Sequence, residues 1–119
     1  MSDINNSLNE LMKIDGAMAV AVVDYGSGML LGSAGGGIDL ELAAAGNTEV
    51  VRAKVKVMKT LGLDDQIEDM LITLGKQYHL IRPLSHSRDL FIYYVLDKSK
   101  ANLALARREL LSVGTTLEV

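Results

Sequence analysis

The sequence predicts one α+β domain in which helices cover both faces of a five-stranded antiparallel sheet, in the order αββαβββα. The sheet is predicted by two segments, Ala17–Val23 and Leu90–Leu96, which are apolar at both alternating sets of positions, as in strands buried on both faces. The helices are predicted because apolar residues recur at helical spacing in three other segments. The chain of 119 residues fits a single domain spanning residues 1–119.

The first half of the chain predicts a helix, a hairpin and a long helix. Gly26 and Gly28 mark the hairpin turn, and Asp39 is the predicted cap of the long helix, which Gly62 ends. In chain order the elements are a helix capped by Ser2 and running to about Lys13, strands Ala17–Asp24 and Met29–Ala34, and a helix from about Leu40 to Leu61.

The second half predicts three strands joined as successive hairpins, then a last helix capped by Ser99. The apolar stripe of that helix is Leu103, Ala106, Leu110 and Val113. The three strands are about Ile67–Leu74, Tyr78–Leu84 and Leu90–Leu96.

The two doubly apolar strands predict the strand order. They should lie side by side at the centre of the sheet, with Met29–Ala34 flanking one side and Ile67–Leu74 at the opposite edge. Within that edge, Met70–Leu74 contains no proline or lysine. Because soluble proteins usually blunt or use an exposed edge, we interpret this one as an assembly edge. The alternative is an edge covered by the chain's own tail.

The long helix has more apolar surface than one sheet can cover. Its apolar residues spread over roughly 200°, whereas packing on a sheet needs about 100°. Since this helix leads directly to the edge strand, one two-fold partner could cover both, which predicts a symmetric dimer. The predicted interface consists of Val50, Lys54, Val57, Leu61, Met70, Ile72 and Leu74.

Composition and charge exclude several classes of function. With 15 acidic and 12 basic side chains and 4% aromatics, the chain lacks the basic and aromatic patterns of nucleic-acid binding. The absence of cysteine excludes disulfides, thiolate catalysis and the usual structural zinc sites. The polar N-terminus has no signal-peptide pattern, and the longest apolar stretch is far below the ~20 residues that span a bilayer. We therefore expect a cytoplasmic protein without a membrane span.

No segment predicts catalysis, a cofactor or a metal ion. The glycine-rich stretch 32–37 lacks the Gly-Lys-Ser/Thr ending of a P-loop. The acidic pairs 64–65 and 68–69 lack the alternating ligands of a calcium loop. The residue types of a hydrolase triad occur without a nucleophile elbow and are better explained by a polar loop; they are His79, Ser85, His86, Ser87 and Asp89.

Three ordered segments make the chain resemble the roadblock / dynein light chain family in its bacterial and archaeal form. The first has Leu8, Leu11, Ile14 and Gly16 leading into the apolar strand 17–24. The second is the strand 78–84, which ends in an apolar-Pro-Leu step. The third is the strand 90–97, followed by Ala101-Asn102-Leu103-Ala104-Leu105-Ala106-Arg107.

The resemblance implies a fold, an assembly and a class of partner. It implies a profilin-like or roadblock sandwich with the middle helix on one face of the sheet and the two terminal helices on the other. It also implies a homodimer through the middle helix and third strand, and a regulator or platform for small Ras-like GTPases. It transfers no catalytic residue. The residues themselves offer a candidate surface for such a partner, the polar ridge of the long helix, and the alternative interpretation of that ridge is an ordinary solvated face; it consists of Glu49, Arg52, Lys56 and Lys59.

A different class of function stays open. A sensing domain of the PAS or profilin-like kind would bind a small molecule against the sheet. Such a domain needs a pocket with polar anchors, whereas the predicted core is aliphatic.

Overall fold

The structure, a computed structural model, describes residues 3–84 and 87–117 and has the predicted order of elements. Ser85 and His86, predicted to lie in a hairpin loop, fall outside the described residues. The helices are α1 (Ile4–Met12), α2 (Leu40–Thr60) and α3 (Leu103–Thr116). The strands are β1 (Ala17–Asp24), β2 (Leu30–Gly35), β3 (Met70–Thr73), β4 (Gln77–Leu84) and β5 (Ser87–Asp97).

The cap of α2 is the predicted one, and the caps of α1 and α3 are not. Asp39 accepts a hydrogen bond from the Leu42 amide at 3.1 Å. The cap of α1 is Asp3, whose carboxylate accepts from the Asn6 amide at 2.8 Å; the predicted cap, Ser2, lies outside the described residues.

The prediction that Ser99 caps α3 is wrong. Its amide and hydroxyl both donate to Asp97 Oδ1, at 2.9 and 2.7 Å, and so close the turn after β5. The cap is instead Asn102, three residues later, which accepts from the Leu105 amide at 3.1 Å.

The sheet has the strand order β2-β1-β5-β4-β3, with every neighbouring pair antiparallel. The two doubly apolar strands lie at its centre, as predicted: Val20 of β1 pairs with Tyr94 of β5, and both are fully buried. The predicted strand order is therefore confirmed.

Strand β3 is shorter than predicted, at four residues instead of eight. Its last pair joins Met70 to Ile81, although β4 continues to Leu84. Just before β3, Asp69 turns to an ion pair with Arg107 of α3, with an O–N distance of 2.6 Å. The acidic segment that leads into β3 is thus held against α3.

Two apolar layers confirm the predicted arrangement of helices. On one face of the sheet, α1 and α3 pack through residues such as Leu8, Leu11 and Leu110 against β1, β4 and β5. On the other face, Ala44 and Val51 of α2 pack among apolar residues of β1, β4 and β5. No helix in the described part of the chain is long and apolar enough to cross a bilayer.

Candidate functional site

The two edges of the sheet differ in how they are protected. In β2, Leu31 has no partner in β1 because the register shifts between Val22 and Val23, which makes a bulge. Bulges are one of the ways in which proteins blunt an edge strand. Strand β3 has a regular register from Met70 to Thr73 and contains no proline, glycine or charged residue. The edge without such protection is therefore β3.

The direction of the backbone groups of β3 follows from the register. In an antiparallel ladder, residues that exchange hydrogen bonds with the partner alternate with residues that do not. The Leu74 amide donates to the Gln77 carbonyl at 2.8 Å, so Ile72 and Met70 also bond to β4. The N–H and C=O groups of Leu71 and Thr73 therefore point away from β4, toward the open edge.

The apolar excess of α2 is on the surface, as its sequence requires. The buried residues of the helix are Ala44, Thr48 and Val51. At 100° per residue, the predicted interface positions of α2 lie within about 60° of one another, on one flank of the buried stripe. They are all exposed: Val50 (38%), Val57 (48%), Leu61 (64%) and Lys54.

The predicted interface positions of β3 are on the same side of the sheet as α2. Met70 is half-buried and packs against the apolar layer under α2. Ile72 is two residues further along and is 37% exposed. Leu74 lies one residue beyond the end of β3 and is 43% exposed. The edge strand and the exposed flank of α2 thus border one face of the domain.

The candidate partner surface contains one arginine that is already engaged. The Arg52 guanidinium pairs with Glu49 at 2.7 Å and donates to the carbonyls of Tyr25 and Gly26 at 3.1 and 2.8 Å. It also lies over the Tyr25 ring, 5.7 Å from its centroid. Arg52 therefore ties the β1–β2 turn to α2, a contact between distant segments that no local pattern indicates.

Two lysines of that surface remain available. Lys56 and Lys59 are exposed and take part in none of the ion pairs among the described residues. By helical spacing, the ridge of Glu49, Arg52, Lys56 and Lys59 lies about 150° around α2 from the exposed apolar flank. An assembly through the apolar flank would therefore leave the ridge accessible.

A chain of polar side chains, which the sequence did not reveal, crosses the α2 face of the sheet toward β3. Tyr93 Oη lies 2.9 Å from His79 Nδ1, and His79 Nε2 lies 2.8 Å from Gln77 Oε1. The Gln77 amide in turn points its nitrogen at Met18 Sδ, 3.7 Å away. Burial lowers the pKa of His79 from its ordinary value of 6.5. Ile72 of the edge strand is the register partner of His79.

These contacts bear on the chemistry that the sequence left open. His79 is held by Tyr93 and Gln77, and neither is the carboxylate that orients the histidine of a Ser-His-Asp triad. In the described ranges, no three His, Asp or Glu residues form a group that could hold a metal ion.

One open cleft of about 610 Å³ lies where the β3–β4 turn meets the end of β5. A ligand there would stay exposed to solvent, whereas small-molecule sites usually bury most of their ligand. The cleft is lined by Met18, Gly75, Lys76, Gln77, Asp97, Lys98 and Ser99.

No protein-family model and no curated protein matches the sequence. Solved structures do match the fold. Myxococcus xanthus MglB superposes with a TM-score of 0.82 at 22% identity, over 93% of this chain and 88% of that one. The gliding protein MglB of Thermus thermophilus gives 0.80 at 16% identity, over 93% and 82%. A roadblock/LC7 domain from Streptomyces avermitilis gives 0.83 at 10% identity, over 97% and 94%. This chain therefore has the fold of a roadblock/LC7 domain.

Proposed function

We propose that this chain is a non-catalytic, cytoplasmic homodimeric adaptor that binds or regulates a small Ras-like GTPase, or holds it in a complex. The observation that carries the proposal is that the edge strand β3, which has no bulge, proline or charge, lies on the side of the sheet that α2 covers with an exposed apolar flank. An edge with outward N–H and C=O groups next to apolar surface is suited to pairing with a second strand. A second copy of the chain supplies both a strand and an apolar helix flank.

The backbone directions specify how two β3 strands would pair. The residues whose backbone N–H and C=O groups point outward are Leu71 and Thr73. In a two-fold antiparallel pair, all of these groups form hydrogen bonds when Leu71 is paired with Thr73 of the partner subunit. Each of the two such pairs exchanges two hydrogen bonds. Ile72 then lies on the two-fold axis, directly opposite its own copy, in a non-hydrogen-bonded pair whose side chains are close.

The helix flank extends the same interface. Val50, Val57 and Leu61 are exposed on the flank of α2, on the sheet face that also carries Ile72. Covering these side chains together with the strand pair would remove apolar surface from water on both sides of the axis. A two-stranded contact alone is marginal in water, so we expect the helix flank to be needed for a stable dimer.

The partner class rests on the family resemblance and on the charges of α2. The roadblock resemblance implies small Ras-like GTPases as partners. In the proposed dimer, Lys56 and Lys59 lie outside the interface, so each dimer offers two basic ridges to an acidic partner surface. Arg52 and Glu49 have a structural role in this arrangement, because Arg52 pairs with Glu49 and donates a hydrogen bond to the Gly26 carbonyl of the β1–β2 turn.

Two measurements test this proposal. Sedimentation equilibrium of the purified chain should give a dimer at micromolar concentration, and a stable monomer would overturn the use of the β3 edge. The immobilised chain should then retain a small Ras-like GTPase that is loaded with a GTP analogue or with GDP. The first GTPase to test is any that is encoded beside this chain.

Charge variants give the binding experiment a matched control. Lys56→Glu with Lys59→Glu should weaken GTPase retention, whereas Lys100→Glu, at the β5–α3 connection, should not. If neither nucleotide state binds, the GTPase part of the proposal is wrong and a scaffold for another client remains.

A small-molecule sensor is the alternative, and the open cleft at the end of the sheet is the feature that favours it. A ligand there would contact Gln77 and Lys98 and should raise the melting temperature of the chain. A metabolite that stabilises the wild type but not Gln77→Ala would support the sensor, whereas a library without such a compound would leave the adaptor favoured.

A further inference from the structure

The protonation of His79 is constrained by both of its neighbours. Gln77 points its amide nitrogen at Met18 Sδ, which leaves Oε1 facing His79 Nε2. With the Gln77 amide in this orientation its carbonyl oxygen accepts a hydrogen bond, and the matching tautomer of His79 has its proton on Nε2. In the neutral ring Nδ1 is then an acceptor for the Tyr93 hydroxyl, 2.9 Å away. The neutral imidazole therefore satisfies both contacts.

A second proton on His79 would be poorly accommodated. It would sit on Nδ1, and Tyr93 would have to turn its own proton elsewhere to accept it. None of the ion pairs in the described part of the chain involves His79. The nearest carboxylate on the same face of β5, Asp97, already accepts two hydrogen bonds from Ser99.

The surrounding charges do not compensate for a cation at His79. The β3 residues 70–73 carry no charge, and the charged side chain that α2 presents on its apolar flank is itself a cation, Lys54. Burial, rather than any of these charges, lowers the pKa of His79. The titratable groups that the register places near the ring are Tyr93 and Asp97, two residues to either side of Val95, which is the β5 partner of His79. Lys98 lies instead over the Tyr78 ring, 6.0 Å from its centroid, on the opposite face of the sheet.

The position of His79 connects it to the open edge. Its partner in the β3–β4 ladder is Ile72, the residue on the axis of the proposed dimer. A second copy placed on this edge would cover Ile72 and bury His79 further. Removing a charged imidazolium from water without an opposite charge is unfavourable.

We propose that His79 is a pH switch for self-association, in which the neutral ring permits pairing of two β3 edges and the protonated ring opposes it. This inference rests on the proposed homodimer. Protonation separates the subunits because the imidazolium loses its water on pairing and gains no carboxylate. An acidic environment would then release monomers whose α2 flank and β3 edge are exposed.

The sign and the size of the effect follow from linkage. Since the histidine binds its proton less well in the dimer than in the free protomer, acid raises the dissociation constant. The change begins as the pH falls through the pKa of His79 in the free protomer, which burial holds below the ordinary value of 6.5. With one such histidine in each subunit, two protons are taken up per dissociation. The dissociation constant can therefore rise by up to about 100-fold per pH unit within the window.

The test is the dissociation constant measured by sedimentation at pH 7.5, 6.5, 5.5 and 5.0, for the wild type and His79→Gln. Glutamine keeps a neutral hydrogen-bonding side chain, so the variant should dimerise at pH 7.5 and lose the rise below pH 6.5. The matched control is His86→Gln, which changes the other histidine of the chain and should keep the rise. Circular dichroism at each pH separates dissociation from unfolding.

The possible outcomes test the pH switch separately from the proposed homodimer. A wild type that is monomeric at pH 7.5 would overturn the homodimer, and the switch with it. A dimer whose dissociation constant is flat from pH 7.5 to 5.0, or whose rise persists in His79→Gln, would overturn the switch and leave the dimer standing.

Discussion

Replacing Ile72 with lysine should break the proposed dimer while leaving the protomer folded. The residue is 37% exposed on the edge strand, so its side chain can be changed without opening the core. In the two-fold pairing that satisfies Leu71 and Thr73, position 72 lies opposite its own copy. The substitution therefore acts twice, at a single point on the axis.

The expected loss of dimer stability in Ile72→Lys has two contributions. Burying the exposed third of an isoleucine contributes about 0.5–1 kcal/mol, hence roughly 1–2 kcal/mol for the two copies. Two ammonium groups about 6 Å apart repel by roughly 1–3 kcal/mol at the effective dielectric constants near a protein surface. The sum, about 2–5 kcal/mol, corresponds to a rise in the dissociation constant of at least ~30-fold.

Sedimentation equilibrium measures this change, with far-UV circular dichroism as the check on folding. Leu31→Lys is the matched control, because Leu31 is also an exposed residue of an edge strand (40%) but lies on the bulged edge, four strands away. An unchanged dissociation constant for Ile72→Lys would place the interface elsewhere. Equal weakening by Leu31→Lys would show that the effect of charge is not specific to β3.

Three further substitutions test separate parts of the structure. Thr73→Pro removes an outward N–H without touching the β4 ladder, so the dimer should weaken by about 1 kcal/mol for each lost hydrogen bond while the protomer stays folded, as sedimentation would show. Arg52→Ala should lower the free energy of unfolding by about 1 kcal/mol in a denaturant titration, because the turn carbonyls of Tyr25 and Gly26 lose their donor; no change would mean that the turn does not need α2. Ser7→Ala should raise that free energy by about 1 kcal/mol, because the Ser7 hydroxyl is buried without a hydrogen-bond partner; a loss of stability would reveal a partner for this hydroxyl.

The strand order was predictable because the two central strands are apolar on both faces. Ala17–Val23 and Leu90–Leu96 have no polar face, so each needs neighbours on both sides and cover above and below. The flank of α2 was predictable for a related reason, since helical spacing alone shows that its apolar arc exceeds what one sheet covers.

The details that failed depend on competition between nearby groups. Ser99 and Asn102 are both good caps, and the sequence does not show that Asp97 takes both donors of Ser99. Just before β3, Asp69 pairs with Arg107, which is 38 residues away in the chain. Such long-range pairings leave no periodic signal in the sequence.

The polar chain through His79 was missed for the same reason. In the sequence, His79 stands in an alternating strand and invites comparison with a catalytic histidine. Its partner Tyr93 is 14 residues away on the next strand. Only the register of β4 against β5 brings the two together.

The most direct test of the homodimer is a single introduced thiol on its axis. The chain has no cysteine, so in Ile72→Cys the sulfur can form a disulfide only with its own copy. Opposed residues of a non-hydrogen-bonded pair have Cα atoms about 4.5 Å apart, within the range that a disulfide spans. After mild oxidation, Ile72→Cys should run as a covalent dimer on a non-reducing gel, while Leu31→Cys, treated alike, should stay a monomer. If Ile72→Cys crosslinks no more than Leu31→Cys, the two β3 edges do not meet, and the proposed dimer is wrong.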